Sequence, residues 1–403
     1  MHSRMFSIRA HNLRESIDYL VIVLFVMPFI QTSYQIFIPA VNTAVLVWKM
    51  AVIGVAILST IGMSKKIDKV LFSAIICNLY MVIPTFLNNG YYVKFFGYFI
   101  DSVGFLIVIK YLTIRYKRVF LSATKFFCRL MMYINFILLL VYPRGIYVEY
   151  NGYLETRYLF LGMDNQAAIL LLTFIIIIYA IEKSEPCLPK ISFYIDVAVF
   201  SISIVLVWCG NSIVGIMGFL GAMLFQKITK KKITINDSVK VLFFLFVFIN
   251  LFQGFRLFSV FIVTLLGKDM TLSGRVMIWE NGIKEWLKYP IFGHGYQTSE
   301  AFVSFSNISG YVRGAHNQIL NILLHGGIVF LLCYVAMFRT VHKSAAAYKD
   351  NLLVNILTLG ILSNFVMWTA DTYGHLVSMY LLIGLLSYGK SCCLLKREGA
   401  VEK

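Results

Sequence analysis

Long apolar stretches recur along the whole sequence, and they limit what this chain can fold into more than any other feature. Each is close to the ~20 residues that an α-helix needs to cross a lipid bilayer. A backbone in lipid must satisfy its own hydrogen bonds, and a helix does so within one segment. The pattern therefore predicts an all-α, polytopic integral membrane protein.

About twelve such stretches can be distinguished, which agrees with a chain of 403 residues that is 59% hydrophobic. Only 14% of the residues are charged, against ~25% in typical soluble domains. The predicted spans are residues 17–38, 40–63, 70–88, 95–113, 126–142, 166–181, 191–209, 212–226, 239–266, 317–339, 352–370 and 373–389. We expect one transmembrane domain over residues 1–403, with the first run acting as a retained signal anchor.

The formal net charge of +17 could suggest a nucleic-acid partner, but its distribution excludes one. Nucleic-acid binding needs basic residues gathered on one folded surface. Here most of them form short clusters between the apolar runs. These clusters lie within residues 4–14, 65–69, 115–118, 227–232 and 390–397. The positive-inside rule therefore predicts that these segments, and both termini, are cytoplasmic.

Cysteine spacing and buried charges give no independent assignment. None of the seven cysteines has metal-ligand spacing with histidine, so we predict neither a disulfide framework nor a zinc site. Lys49, Asp101 and Asp196 fall inside predicted spans, where ionisable groups are costly. They either line a groove for lipid entry or pair structurally, and both readings stay open.

Two predicted outer segments are long enough to carry a site, residues 143–166 and 267–316. The second is the large loop between the ninth and tenth spans. Within it, residues 273–290 have helical spacing, with a plausible N-cap at Ser273 and a stop at Pro290. Two tryptophans on this segment predict a helix that lies at the membrane interface.

Arg275 falls in the first turn of this predicted helix, where free backbone N–H groups favour an anion. Its guanidinium can bind two oxygens of a diphosphate at once. The loop ends in His316 and Asn317, directly before the next span. A histidine there acts either as a base or as a polar boundary residue. His294 stands between two glycines, which fits a turn better than catalysis.

Taken in order, these residues resemble the O-antigen ligase/Wzy-type polysaccharide polymerase family. The family pattern runs Gly-Arg, Trp, Pro-Leu-x-Gly-x-Gly, His-Asn and then a span that contains Gly-Ile or Gly-Leu. Here the similar residues are Gly274-Arg275, Trp279, residues 290–295, His316-Asn317 and Gly327-Ile328. A weaker similarity runs from Arg157 through residues 162–167. One departure is the turn Cys209-Gly210-Asn211-Ser212, where the family often carries an arginine.

The resemblance implies a GT-C-like membrane enzyme that joins glycans outside the bacterial cytoplasmic membrane. The donor saccharide would be carried on undecaprenyl diphosphate, and the transfer would be inverting and independent of metals or cofactors. Arg275 and His316 would be catalytic, and Asn317 would fix the imidazole or contact sugar. Arg157, Arg256 and Arg313 are candidates for a second diphosphate cation, unless this chain uses fewer cations. Membrane lipid, a chain-length regulator and a flippase are the other expected partners.

Three functional hypotheses follow. The leading one is a polymerase that assembles repeat units into O-antigen, capsule or exopolysaccharide; an O-antigen ligase, which transfers glycan to lipid A-core, is hard to separate from it. A lipid-linked oligosaccharide flippase fits the span number equally, but transporters usually show repeat symmetry and matched broken helices. The third is a purely structural or sensory membrane protein, in which the loop that carries Arg275 and His316 is only a lid.

Overall fold

The computed structural model describes residues 2–61, 68–151, 154–185, 191–250, 252–260, 263–264, 272, 274–298, 314–373, 376–390 and 392. Over these residues the protein is mostly a bundle of α-helices. The first half contributes α1 (His2–Val26), α2 (Ser33–Phe37), α3 (Pro39–Thr60), α4 (Lys69–Tyr80), α5 (Val82–Leu87), α6 (Tyr92–Phe99), α7 (Phe105–Arg115), α8 (Phe120–Val141) and α9 (Asp164–Ser184). The second half contributes α10 (Ile191–Val207), α11 (Gly210–Thr229), α12 (Ile235–Asn250), α13 (Arg275–Trp286), α14 (Gln318–Ala346), α15 (Leu352–Trp368) and α16 (Val377–Gly384).

Several of these helices have the dimensions of membrane spans, as the hydropathy pattern predicts. Seven helical segments of the described chain are long and apolar enough to cross a membrane. They are Pro39–Thr60, Lys69–Leu87, Tyr92–Arg115, Phe120–Val141, Asp164–Ser184, Gly210–Thr229 and Gln318–Ala346. Three shorter apolar segments are Ile191–Val207, Leu352–Trp368 and Val377–Gly389. The protein is therefore a polytopic membrane protein, and the full number of twelve stays a prediction.

In two predicted spans, the α-helix ends early and a 3₁₀ turn follows among the described residues. The run 17–38 is split because α1 ends at Val26, and a short 3₁₀ turn that contains Pro28 follows at Met27–Phe29. In the run 239–266, helix α12 ends at Asn250, and a 3₁₀ segment follows at Gly254–Phe258. Apolar composition alone does not reveal such interruptions, because they depend on local backbone geometry.

The expectation of an all-α fold was wrong in one region, residues 147–163. Here three antiparallel strands form a small sheet in the order β1 (Tyr147–Asn151), β2 (Leu154–Leu159) and β3 (Gly162–Met163). In the first pair, Tyr147 lies opposite Tyr158. Aromatic and β-branched residues alternate with polar ones in these strands, as in a half-buried hairpin. The sheet leads directly into α9.

Helix α9 forms the centre of the bundle. Its sequence is apolar on every face, which is typical of a helix surrounded by other helices. It packs against α8, α10, α11 and α15. Lipid is as apolar as leucine, so close packing and internal hydrogen bonds hold such helices together. One such bond joins α15 to α11, where Ser363 Oγ donates to the carbonyl of Gly215 at 2.8 Å.

The charged residues inside predicted spans form structural pairs. Lys49 Nζ lies 2.6 Å from Asp101 Oδ1 and thereby links α3 to the π-helical turn Ile100–Gly104. Arg129 contacts Asp196 at 2.7 Å, and Tyr133 donates to the same carboxylate at 2.7 Å. Pairing reduces the penalty of placing charge away from water. These contacts therefore favour the structural reading over a lipid-entry groove.

Helix α14 is broken at Gly327, whose φ of 62° lies outside the helical region. Residues 290–295 pack into this break. The N–H groups of His294 and Gly295 donate to the carbonyls of Leu324 and His325 at 2.8 and 2.7 Å. The N–H of Ile328 in turn donates to the Pro290 carbonyl at 2.9 Å. The loop thus satisfies backbone groups that the break would otherwise leave unpaired in the bundle.

Glycines are required on both sides of this contact, which we call the loop–helix clamp (residues 290–295 with 324–329). A Cβ at Gly327 would stand 2.2 Å from the Ile291 carbonyl oxygen, and one at Gly293 would stand 2.6 Å from the Gly327 nitrogen. Both distances are shorter than any side chain tolerates. The glycine motifs of the sequence therefore form one packing contact, which connects α13 to α14.

Candidate active site

Four helix termini bring the candidate residues together. Arg275 is the first residue of α13, and His316 lies two residues before α14. Asp371 lies between α15 and α16, and Asn165 lies in the first turn of α9. We call these four side chains the Asp371 cluster, because the carboxylate of Asp371 contacts the other three.

Asp371 accepts hydrogen bonds on both carboxylate oxygens. Its Oδ1 lies 3.0 Å from His316 Nδ1 and accepts the Thr372 N–H at 2.8 Å. Its Oδ2 accepts the side-chain amide of Asn165 and lies 3.5 Å from Arg275 Nη2. Only 4% of Asp371 is exposed. The structure thus joins Arg275 and His316, the two predicted catalytic residues, through an acid that the motif analysis did not include.

The Asp371 carboxyl is ionised at neutral pH. Burial by itself would raise its pKa, but the hydrogen bond from His316, the charges of His316 and Arg275, and the Thr372 N–H act in the opposite direction. Their combined effect lowers the pKa below its ordinary value. A carboxylate can only accept hydrogen bonds, so His316 Nδ1 carries the proton in this contact. The other ring nitrogen, Nε2, is then the basic one in the neutral imidazole.

The backbone at His316 adopts a conformation that is rare for a side-chain-bearing residue. Its φ is 45°, in the left-handed region. Trp279 of α13 donates its indole N–H to the His316 carbonyl at 3.1 Å, which helps to hold this conformation. Such strain persists only where the surroundings enforce it, and it is frequent at functional sites. About a third of the His316 side chain is exposed, so the ring is accessible from outside the bundle.

Arg275 occupies the first turn of α13, as predicted. Its predicted N-cap, Ser273, lies outside the described residues, and Gly274 caps the helix with a φ of 82°. The guanidinium Nη1 donates to the Ala370 carbonyl at 2.6 Å, while Nη2 makes the longer contact with Asp371. A quarter of the side chain is exposed. An accessible guanidinium at a helix N-terminus is suited to bind an anion.

Asn317 has a structural position. Its Oδ1 accepts the Leu320 N–H at 3.1 Å and so caps α14, and its Nδ2 donates to the Thr369 carbonyl at 3.0 Å. The side chain is completely buried. These contacts tie the start of α14 to the segment that carries Asp371. These contacts are architectural, and the expected roles of fixing the imidazole or contacting sugar stay predictions.

Arg157 lies next to the Asp371 cluster, on strand β2. Its guanidinium donates to Asp164 Oδ2 at 3.0 Å and to the Val207 carbonyl at 2.9 Å. Asp164 immediately precedes Asn165 in the first turn of α9, so the Arg157–Asp164 pair and the Asp371 cluster both involve this helix terminus. Val207 ends α10, immediately before the turn in which the family often carries an arginine. Strand β2 thus places Arg157 close to the Cys209–Ser212 turn, which has no arginine of its own.

The other two candidate arginines are not placed in this cluster. Arg256 is exposed on the Gly254–Phe258 turn, and no contact among the described residues joins it to Asp371 or Asp164. Arg313 lies outside the described residues. Within the described part of the chain, no group of three or more His, Cys, Asp and Glu side chains could hold a metal ion.

His294 belongs to the loop–helix clamp. It is buried, and its flanking glycines have φ values of 67° and 73°, as the predicted turn requires. Burial lowers the pKa of His294 even though Glu285 lies 3.4 Å away and acts to raise it. The imidazole is therefore neutral near pH 7. These observations fit the structural interpretation of this histidine.

Sequence reasoning missed Asp371 and did not identify Asn165 as its partner. Asp371 stands alone between two predicted spans, in the sequence Trp368-Thr-Ala-Asp-Thr-Tyr373. An acid at the mouth of a span was a usable signal, because ionisable groups at membrane depth are mostly functional. Nothing in the sequence, however, shows that it meets a histidine 55 positions earlier.

Comparison with known proteins supports the resemblance drawn from the motifs. Residues 155–335 match the family model described as O-antigen ligase. The matched segment contains Arg157, Arg275 and His316, whereas Asp371 lies beyond its end. No curated protein matches the chain. Over residues 155–335, this membrane protein is therefore similar to the O-antigen ligase family.

Proposed function

We propose that this protein is a polysaccharide polymerase that joins lipid-linked oligosaccharide repeat units on the outer face of the cytoplasmic membrane. The observation that carries the proposal is the Asp371 cluster, which holds a hydrogen-bonded His–Asp pair beside an accessible arginine at a helix N-terminus. Such a site offers a base and an anion-binding group side by side. Glycosyl transfer from a diphosphate carrier needs both of them.

Arg275 and Arg157 are the proposed cations for the diphosphate. The undecaprenyl diphosphate leaving group develops negative charge as the bond to the sugar breaks, and fixed positive groups stabilise that charge. Arg275 presents its guanidinium next to the first N–H groups of α13. Arg157 is favoured over Arg256 as the second cation because its partner Asp164 directly adjoins Asn165 of the cluster. Two arginines neutralise the leaving group without a metal ion.

His316 is the proposed base. Asp371 keeps the proton on Nδ1, so Nε2 can accept a proton from the acceptor hydroxyl. The acceptor oxygen then attacks the anomeric carbon, and the bond from that carbon to the diphosphate oxygen breaks. The electron pair leaves with the diphosphate, and the proton goes to Nε2. Attack from the face opposite the leaving group inverts the anomeric centre.

The basic clusters of the sequence support the orientation that this chemistry requires. If the clusters and both termini are cytoplasmic, the loops that carry Arg275, His316 and Asp371 face outward. The reacting groups then meet a donor whose lipid tails lie in the membrane and whose saccharide lies outside it. A flippase that delivers the donor and a regulator of chain length would be the natural partners.

An O-antigen ligase is the second candidate, because the matching family model carries that description. The two activities share the donor and differ in the acceptor, which is a second repeat unit for a polymerase and lipid A-core for a ligase. The cluster accounts for donor activation in both cases. Acceptor identity must therefore come from an experiment.

The experiment replaces His316 and Arg275 singly by alanine in cells and examines surface polysaccharide on gels. His342→Ala serves as the matched control, because His342 lies near the opposite end of α14. A polymerase predicts that long chains disappear while a single attached repeat unit persists. Loss of that unit as well, at normal protein levels, would favour the ligase. Unchanged ladders in both variants would refute the site.

A further inference from the structure

Asn165 is the member of the Asp371 cluster that has no role in the proposed mechanism. Its side chain lies between two groups with opposite hydrogen-bonding requirements. The amide Nδ2 donates to Asp371 Oδ2, and the amide Oδ1 accepts from the Cys209 thiol. A carboxylate only accepts and a protonated thiol donates, so these two partners determine the orientation of the amide. Asn165 is therefore held with its N–H group on the carboxylate.

Cys209 is a donor in this contact. Burial raises the pKa of its thiol despite opposing hydrogen bonds from the backbone, so the sulfur is protonated at neutral pH. The position of Cys209 is itself constrained, since its carbonyl accepts the Ser212 side chain at 2.5 Å at the start of α11. The chain of contacts Cys209–Asn165–Asp371 thus crosses from the α10–α11 turn to the α15–α16 segment.

Arg275 and Asn165 approach the same oxygen of Asp371, and their contacts differ. A full arginine–carboxylate pair has N–O distances of about 2.7–2.9 Å and is frequently bidentate. Arg275 Nη2 lies 3.5 Å from Oδ2, whereas the Asn165 amide makes the close contact. The other carboxylate oxygen is already occupied by His316 and Thr372. Arg275 is consequently only loosely paired with Asp371, the acid that lies within ion-pair distance of it among the described residues.

We propose that Asn165 is a positioning residue that occupies Asp371 Oδ2 and thereby keeps Arg275 available for an anionic ligand. The inference rests on the proposed function, which makes that ligand the diphosphate of the lipid carrier. Without the Asn165 amide, Arg275 would close onto Oδ2 as a tight ion pair. Its guanidinium would then have to break that pair before it could bind diphosphate. With Oδ2 occupied by Asn165, Asp371 keeps its hydrogen bond to His316 through Oδ1 and so orients the imidazole.

The test uses the full-length protein in lipid nanodiscs, with undecaprenyl diphosphate as the binding probe. We expect Asn165→Ala to bind this lipid about tenfold more weakly, the lower end of what a hydrogen bond to a charged group contributes. Asp371→Asn removes the competing charge and should bind at least as tightly as the wild type. The double variant should therefore regain the affinity that Asn165→Ala loses. Cys209→Ser retains a donor and serves as the conservative control.

The outcomes separate this inference from the proposed function. Wild-type affinity in Asn165→Ala would overturn the inference, and so would a double variant as weak as Asn165→Ala, because the defect would then be structural. Equal affinity of wild type and Arg275→Ala would overturn the proposed function itself. In turnover with a lipid-linked repeat unit, a positioning role predicts that Asn165→Ala raises KM about tenfold and changes kcat less than about threefold.

Discussion

Replacing Asp371 by asparagine tests the candidate site most directly, because the two side chains have the same shape. The contacts that surround the carboxylate all come from donors: His316 Nδ1 at 3.0 Å, the Thr372 N–H at 2.8 Å, the Asn165 amide and Arg275. An amide has one oxygen and one NH₂ group. In either orientation its NH₂ group must therefore face donors. The substitution preserves volume and removes both the charge and half of the accepting capacity.

The size of the effect follows from these contacts. A hydrogen bond to a charged group contributes about 1.5–3 kcal/mol, and a buried donor left unpaired costs about 1–3 kcal/mol. If the amide NH₂ faces His316, the imidazole moves its proton to Nε2 and no longer offers a base there. A positioned base contributes roughly 10²–10⁴-fold. We expect Asp371→Asn to lower kcat about 100-fold, which corresponds to ~2.7 kcal/mol in the barrier.

The assay measures elongation of a lipid-linked repeat unit by purified protein, alongside a thermal melt. Asp196→Asn is the control, since Asp196 is equally buried and paired with Arg129. It should lower stability and leave kcat near the wild-type value. If Asp371 acts through His316, the Asp371→Asn/His316→Ala double variant should be no slower than His316→Ala alone. A kcat for Asp371→Asn within about threefold of wild type would refute the His–Asp assignment.

Three further predictions concern pH and packing. Because the pKa of Asp371 is lowered in the fold, its ionised carboxylate stabilises the protein above the unfolded pKa of about 3.9, and this contribution is lost as pH falls further. The melting temperature should therefore change less between pH 6 and 3 in Asp371→Asn than in the wild type. Because burial lowers the pKa of His294, its protonation opposes folding below about pH 6.5. His294→Gln should therefore reduce the loss of thermal stability between pH 6.5 and 5. An unchanged dependence of the melting temperature on pH would contradict this. Gly327→Ala places a Cβ 2.2 Å from the Ile291 carbonyl oxygen and should lower the free energy of unfolding by more than about 2 kcal/mol in a denaturation assay. The control is Gly221→Ala, where the added Cβ meets open space, and it should be neutral or slightly stabilising in the same assay.

The sequence predicted those parts of the site that depend on local pattern. Arg275 begins α13, and His316 stands just before α14, as the capping and hydropathy signals indicate. Their common partner could not be predicted, because Asp371 lies 55 residues from His316 and 206 residues from Asn165. Only the packing of α9, α13, α14 and α15 brings these groups together.

The missed hairpin has a different cause. The sequence around residues 147–159 alternates polar and apolar residues and contains Asn151-Gly152, a strong hairpin signal. The long apolar runs on either side nevertheless favoured an all-α prediction. The small sheet matters because strand β2 carries Arg157 to the carbonyl of Val207. A candidate cation was therefore recognised in the sequence, but its neighbours were not.

Membrane character, the similarity to the O-antigen ligase family and the prediction of two cluster residues come from the sequence alone. Run length and helical spacing are properties of neighbouring residues, and lipid enforces them on every segment. Only the tertiary structure shows which acid contacts His316, where Arg157 is held, and why paired glycines recur at the loop–helix clamp. Each of these depends on the distance between groups that are far apart in the sequence, and that distance is set by how the helices and strands pack.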